Sequence, residues 1–259
     1  MADPRLAIGV DVGGSGVKAG VVDVADGRLV SDRLRVITPQ PSTPDAVIRT
    51  IARLVTRLAK ATGIGSDVPA GVGVPSVVVD GVTRTAANID PGWVGFDADA
   101  ATEKALRRRV WMVNDADAAG LAEMRFGAGV GKMGTVIVLT LGTGTGSGVF
   151  VDGCLVPNTE LGHMEIRGRD AERRSAAAAR TRRGLSWKAW ATDLDEHLHA
   201  INRLFSPGLF IIGGGVSKNA DRFIPRLTVD VPVVAAVLRN DAGIVGAALL
   251  AADRLDAVG

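Results

Sequence analysis

Tyrosine is absent from this sequence, and phenylalanine and tryptophan bring the aromatic share to only 4%. Base-stacking platforms for nucleic acid are therefore poorly supplied. A single cysteine, Cys154, excludes an intrachain disulfide framework and fits a reducing compartment. Three histidines and that one cysteine are too few for a structural zinc cluster. Apolar runs are too short or too interrupted to span a bilayer, and residues 1–6 carry no apolar signal core. These absences lead us to expect a soluble cytoplasmic protein with no nucleic-acid and no membrane partner.

What is present points to a folded, ligand-handling protein. Hydrophobic residues at 47% can bury a sizeable core, charged residues at 22% exclude general disorder, and 259 residues suit two lobes. The net charge is only +2, which leaves room for a local anion-binding face without implying a general one. The 33 glycines cluster rather than scatter, marking loops where backbone approaches a ligand closely.

Residues 6–12 read as a buried strand and 17–24 as the next, joined by Gly13-Gly14-Ser15-Gly16. The Asp26-Gly27 turn leads into a third strand, 29–36, completing a meander. Pro39, Pro41 and Pro44 break regular structure, and a helix follows from about 45 with Val47, Ile48, Ile51, Leu54, Val55 and Leu58 on one face. Residues 68–79 are strand-like apart from Pro75. Near 135 the pattern starts again: strand 135–141, the loop Gly142-Thr143-Gly144-Thr145-Gly146, strand 147–151 and the turn Asp152-Gly153. Asp26-Gly27-Arg28-Leu29-Val30 is echoed by Asp152-Gly153-Cys154-Leu155-Val156, so a duplicated three-strand unit is expected. A helix at 185–204, a strand at 209–212, a helix after Gly213-Gly214-Gly215, a strand at 231–237 and an apolar helix from 242 close the chain. The class is α/β with two sheets. We expect a small lobe, 1–112, and a large lobe, 113–241, with helix 242–259 packing back on the small one.

The chemistry-bearing residues gather at the ends of these strands. In Asp11-Val12-Gly13-Gly14-Ser15-Gly16-Val17-Lys18 the glycine N–H groups can point at phosphate oxygens. Asp11 can hold hydrated Mg²⁺ and Lys18 can neutralise developing charge; an ordinary hairpin is the plainer alternative. The second loop, 142–148, sits at the matching point of the repeat, where two such loops can serve a polyphosphate or nucleotide tail. Rival motifs fit badly: Gly131-Lys132 is followed by Met133, not by the Ser or Thr of a P-loop, and no helix follows the glycines as a dinucleotide fingerprint needs. Asn114-Asp115 follows the strand 110–113 and precedes a helix, 116–126. A carboxylate there can act as a general base on a hydroxyl, or either residue can cap the helix. Glu160-Leu161-Gly162-His163, with Glu172 beyond, suits hydroxyl recognition, with a metal site as the competing idea. His197 and His199 read as surface or boundary histidines. Arg167, Arg169, Arg173, Arg174, Arg180, Arg182 and Arg183 read as a solvated helix face or as a track for a long polyanion.

Taken together, these motifs resemble the ROK family (repressor, open reading frame, kinase), essentially end to end, and within it the polyphosphate-using branch. The resemblance implies a two-lobed actin-like ATPase (ribonuclease H-like) fold of duplicated βββαβαβα units with a cleft between the lobes. It implies Asp115 as general base on the glucose 6-hydroxyl, with Asn88, Asn114, Glu160, His163 and Glu172 holding the sugar. Donor phosphates would meet Asp11, Gly13, Gly14, Ser15, Gly16, Lys18, Thr143, Gly144, Thr145, Gly146, Gly213, Gly214, Gly215 and Lys218. Inorganic polyphosphate and ATP are the implied donors, Mg²⁺ the cofactor, glucose the acceptor with mannose as a second hexose, and a homodimer the assembly. A strictly ATP-dependent glucokinase and another hexose or N-acyl-hexosamine kinase are the alternatives within the family. Many members carry a cysteine-rich zinc motif after the Glu-x-Gly-His segment; residues 164–172 hold no cysteine, so no zinc is expected. A regulator of this family needs an N-terminal helix-turn-helix, which is not expected ahead of a first strand at Leu6, and a non-enzymatic sugar- or nucleotide-binding protein has no need of a base.

Overall fold

Two glycine turns open two sheets of the same strand order. In the computed structural model, which describes residues 5–86 and 89–257, β1 (Leu6–Gly13) and β2 (Gly16–Asp23) pair antiparallel around Gly14-Ser15. The strand expected at 29–36 is two short pieces, β3 (Arg28–Leu29) and β4 (Leu34–Val36), both paired with β2. The break has a local cause. Ser31 Oγ accepts the Val21 N–H at 2.9 Å, so a side chain stands in for a ladder carbonyl.

Helix α1 (Pro44–Thr62) starts with Thr43 Oγ1 accepting from the Ala46 N–H, Pro44 in the first turn and Asp45 beside it. It stops at Gly63, whose φ of 74° makes a left-handed cap. Its buried face is the stripe read from the sequence. Then come β5 (Ala70–Val74), the small hairpin β6 (Val78–Val79) and β7 (Val82–Thr83), α2 (Ala98–Leu106), β8 (Val110–Asn114) and α3 (Asp115–Phe126). Helix α2 escaped the sequence reading because it buries only Ala98 and Thr102, too little for a periodic signal. Strands β1, β5 and β8 are parallel, and the order is β3-β2-β1-β5-β8.

The second sheet repeats this order. It is built from β9 (Thr135–Leu141), β10 (Thr145–Val151) and β11 (Cys154–Val156), followed by the hairpin β12 (Glu165–Ile166) and β13 (Arg169–Asp170). Helices α4 (Glu172–Ser175), α5 (Ala177–Arg182) and α6 (Trp187–Phe205) precede β14 (Leu209–Gly213), β15 (Val233–Ala235) and α7 (Ala242–Asp256). The order β11-β10-β9-β14-β15 again joins an antiparallel meander to two parallel strands. The helix expected after Gly215 is instead a 3-10 run, Gly215–Arg222, interrupted at Asn219 with φ −117°.

The chain divides into two compact units, one running up to Ala122 and resuming at Asp241, the other spanning Glu123–Asn240. In the first, α7 lies directly on sheet backbone. A Cβ on Gly71 would fall 1.8 Å from the Ala247 carbonyl oxygen, so any side chain there has to push helix and sheet apart. In the second, Trp187, Trp190 and Phe223 form one aromatic cluster under α6. Glu123, buried, accepts the N–H groups of Ala128, Val237 and Leu238 at 3.0, 3.0 and 2.8 Å. It ties the end of α3 to the segment after β15. Among the described residues no helix is long and apolar enough to cross a membrane.

Candidate active site

Strands β1, β5 and β8 end at one edge of the first sheet. Asp11 is in register with Gly73, and Gly73 with Val113. Asp11 and the Asn114-Asp115 step are thus separated by two strand spacings of about 4.8 Å each. Gly13 and Gly16 face each other across the turn, and Asp11 and Lys18 are cross-strand partners. Lys18 Nζ lies 2.6 Å from Asp11 Oδ2, so the lysine is anchored by the strand-end carboxylate. Thr38 Oγ1 donates to the Gly13 carbonyl at 2.5 Å. Arg35, opposite Lys18 on β4, donates to the Ser15 carbonyl at 3.3 Å and places a further cation at this turn. A small hollow beside it is lined by Gly13, Gly14, Thr38, Gln40, Pro75 and Ile89.

Asn114 is buried, and its Oδ1 accepts the N–H groups of Ala116 and Asp117 at 2.9 and 3.2 Å. Its Nδ2 donates to the Ser76 carbonyl at 3.2 Å. Asn114 therefore caps α3 and ties the end of β8 to the loop after β5. Asp115, half-buried, is the first residue of α3, where the helix dipole favours a carboxylate. Asn88 lies outside the described residues.

In the second unit, Thr140 of β9 is in register with Gly213 of β14, which brings the second glycine loop and Gly213-Gly214-Gly215 to one sheet edge. The Gly142 N–H donates to the Gly144 carbonyl at 2.9 Å, and Thr143 is exposed between them. Gly214 has φ 78°, and a Cβ there would lie 2.5 Å from the Leu141 carbonyl oxygen. Only glycine fits that position. Lys218 is exposed on the 3-10 run. Where the loop enters β10, the Thr145 N–H donates to Glu172 Oε2 at 2.9 Å, and Gly146 follows in the strand.

The Glu160–His163 turn is pressed against the same strand. A Cβ on Gly162 would lie 2.2 Å from the Thr145 carbonyl oxygen. Glu160 Oε2 stands 3.9 Å from His163 Nε2, and His163 Nδ1 stands 3.3 Å from Asp170 Oδ2. Burial pushes the Glu160 carboxyl above the usual carboxylate range; the Glu172 charge adds to this and His163 opposes it. The candidates thus fall into two groups, one in each unit.

Two readings need correction. His197 is buried, 1% exposed, rather than a surface or boundary residue. Its signal was available: Trp190, Leu194, His197 and Ile201 share the buried face of α6 at helical spacing. The arginine run is also not one solvated face or one open track. Arg174 pairs with Asp193 and, at 2.7 Å, with Glu196. Arg183 reaches Asp193 at 2.5 Å, Arg167 reaches Glu196 at 2.7 Å, and Arg180 lies over the Trp187 ring. Their partners sit on α6, beyond the run itself, so the local sequence gave no hint of them. Arg169, Arg173 and Arg182 are exposed.

Comparison with known proteins places this arrangement. The ROK family model matches residues 7–179. Polyphosphate glucokinase of Mycobacterium tuberculosis is 48% identical over 95% of this chain and 91% of its own length. The crystal structure of the inorganic polyphosphate/ATP-glucomannokinase from Arthrobacter sp. strain KM superposes with a TM-score of 0.94 at 49% identity, covering 96% of this chain and 99% of that one. A ROK family glucokinase from Streptomyces griseus, solved with glucose and AMPPNP, gives 0.82 at 28% identity, covering 96% and 99%. The chain belongs to the ROK family and has its two-lobed, actin-like ATPase fold.

Proposed function

We propose that this chain is a sugar kinase that transfers the terminal phosphoryl group of inorganic polyphosphate, and of ATP, to the 6-hydroxyl of glucose. The observation that carries this reading is the end-to-end likeness, at about half identity, to enzymes named for polyphosphate and glucose. In the proposed reaction the Asp115 carboxylate takes the hydroxyl proton as the sugar oxygen attacks the donor's terminal phosphorus. The bond from that phosphorus to the bridging oxygen breaks, and the donor leaves one phosphate shorter. Glu160, His163 and Glu172 pair with the remaining hydroxyls. Asn114, held as the α3 cap, and Asn88 complete the sugar contacts.

Backbone N–H groups of the glycine loops recognise phosphate and are indifferent to a base, which is why one site can serve two donors. Mg²⁺ suits a single hard carboxylate such as Asp11, acting through water and completed by donor phosphates. Asp11 keeps this capacity although Lys18 holds one of its oxygens. When bound, the ion supplies positive charge against the donor oxygens. A polymer also needs cations beyond the transferred group, and Arg35 with exposed Arg169, Arg173 and Arg182 are the candidates. Mannose as a second acceptor, a homodimer and a cytoplasmic location belong to the same reading by likeness to the family.

A calorimetric titration tests the sugar assignment. Glucose should give a saturable heat and N-acetylglucosamine none. The reverse pattern moves the chain to the hexosamine kinases of the family, and heat with glucose but no turnover with either donor makes it a sugar-binding protein.

A further inference from the structure

Buried His197 holds the parts of the second unit together. Its Nε2 lies 3.0 Å from the Leu161 carbonyl oxygen, in the turn that carries Glu160 and His163. Its Nδ1 lies 2.9 Å from Ser175 Oγ, at the end of the short helix that Glu172 begins. Ser175 Oγ is in turn 3.4 Å from Thr145 Oγ1, the residue whose N–H donates to Glu172 Oε2. A carbonyl oxygen can only accept, so Nε2 carries the hydrogen. In the neutral ring Nδ1 then has no hydrogen and accepts from the Ser175 hydroxyl, for which the Ala171 carbonyl at 3.1 Å is the competing acceptor. Burial disfavours the charged ring, in keeping with a neutral imidazole.

We propose that His197 is a positioning residue for the sugar side of the reaction: its imidazole fixes the Glu160–His163 turn through Leu161 and Glu172 through Ser175. This rests on the reading that Glu160, His163 and Glu172 hold glucose. His197 itself touches no substrate. Its work is to keep three sugar-reading side chains in one arrangement, which a residue that merely filled the space between α6 and the turn does not do.

The test compares His197→Leu, which fills space without hydrogen bonds, with His197→Gln, which can still donate to the Leu161 carbonyl. His197→Leu should raise the glucose KM about tenfold, the effect of one lost buried hydrogen bond, while the donor KM stays within about twofold. His197→Gln should recover most of the glucose KM. Ser175→Ala, which leaves the imidazole and its packing in place, should raise the glucose KM by roughly threefold or more. Glucose KM unchanged in both His197→Leu and Ser175→Ala overturns the proposal, as does a His197→Leu effect equal on both substrates and unrelieved by Gln. If His197→Leu does not fold, Ser175→Ala decides alone. Parent protein and Glu160→Gln are run alongside. Parent that binds no glucose, or Glu160→Gln that binds it normally, refutes the underlying sugar assignment instead.

Discussion

Asp115→Asn should lower kcat by roughly 10²–10⁴-fold, the contribution of a positioned general base, while glucose affinity is largely kept. Asparagine has the same size and can still bond a sugar hydroxyl, but it cannot take the proton as the oxygen attacks phosphorus. The fold should survive the change, because Asn114 already accepts the Ala116 and Asp117 N–H groups at the start of α3. The proton leaves from the acceptor side of the reaction, so the loss should be the same with polyphosphate and with ATP. Steady-state kinetics with both donors, beside calorimetric glucose binding, measure it. Near-normal turnover leaves Asp115 as a helix-start residue and nothing more.

Glu160→Gln should weaken glucose binding by about 1–3 kcal/mol, roughly 5–150-fold, because buried sugar hydroxyls lose an ionised acceptor. The pH dependence carries the sharper signature. Burial raises the Glu160 carboxyl above its ordinary 4.5, with Glu172 adding and His163 opposing. The ionised form is the one that accepts from hydroxyls. Glucose affinity should therefore be full at neutral pH and fall as pH drops through that raised value, earlier than an ordinary carboxylate allows. Glutamine does not titrate, so the variant should bind weakly at every pH without that acid-side decline. Calorimetric Kd values across pH, taken without a donor, check this. A Gln variant that keeps the parent's affinity and the parent's acid limb removes Glu160 from the sugar site.

Where the determinants are local, residue order was enough to read the structure. The α1 stripe recurs at helical spacing, so its buried face was visible, whereas Pro44 read as a breaker and proves to be the first residue of the helix, behind the Thr43 cap. Gly13-Gly14-Ser15-Gly16 and the 142–146 loop were legible as hairpin turns, because their neighbours alternate or run apolar on both sides. The repeat of Asp-Gly turns foretold a duplicated three-strand unit, and an antiparallel meander opens each sheet. What stayed hidden depends on partners distant in the chain. Ser31 ends β3 early by reaching Val21, ten residues back. Arg174 and Arg183 read as free charge until Asp193, on the buried side of α6, is placed beside them. Lys18 read as a cation for the donor, and only the strand register shows Asp11 opposite it. His197 reads as a boundary residue when taken alone, and only the apolar residues at 190, 194 and 201 mark the buried face it shares.

The polyphosphate assignment rests on the likeness, at about half identity over nearly the whole chain, to enzymes named for polyphosphate. Its most direct test is purified protein with glucose, Mg²⁺ and long-chain inorganic polyphosphate freed of nucleotide, with glucose 6-phosphate measured as product. The account predicts steady formation of glucose 6-phosphate and a polyphosphate KM that rises with salt more steeply than the KM for ATP. A protein that makes glucose 6-phosphate from ATP but none from nucleotide-free polyphosphate contradicts it, and is a strictly ATP-dependent glucokinase.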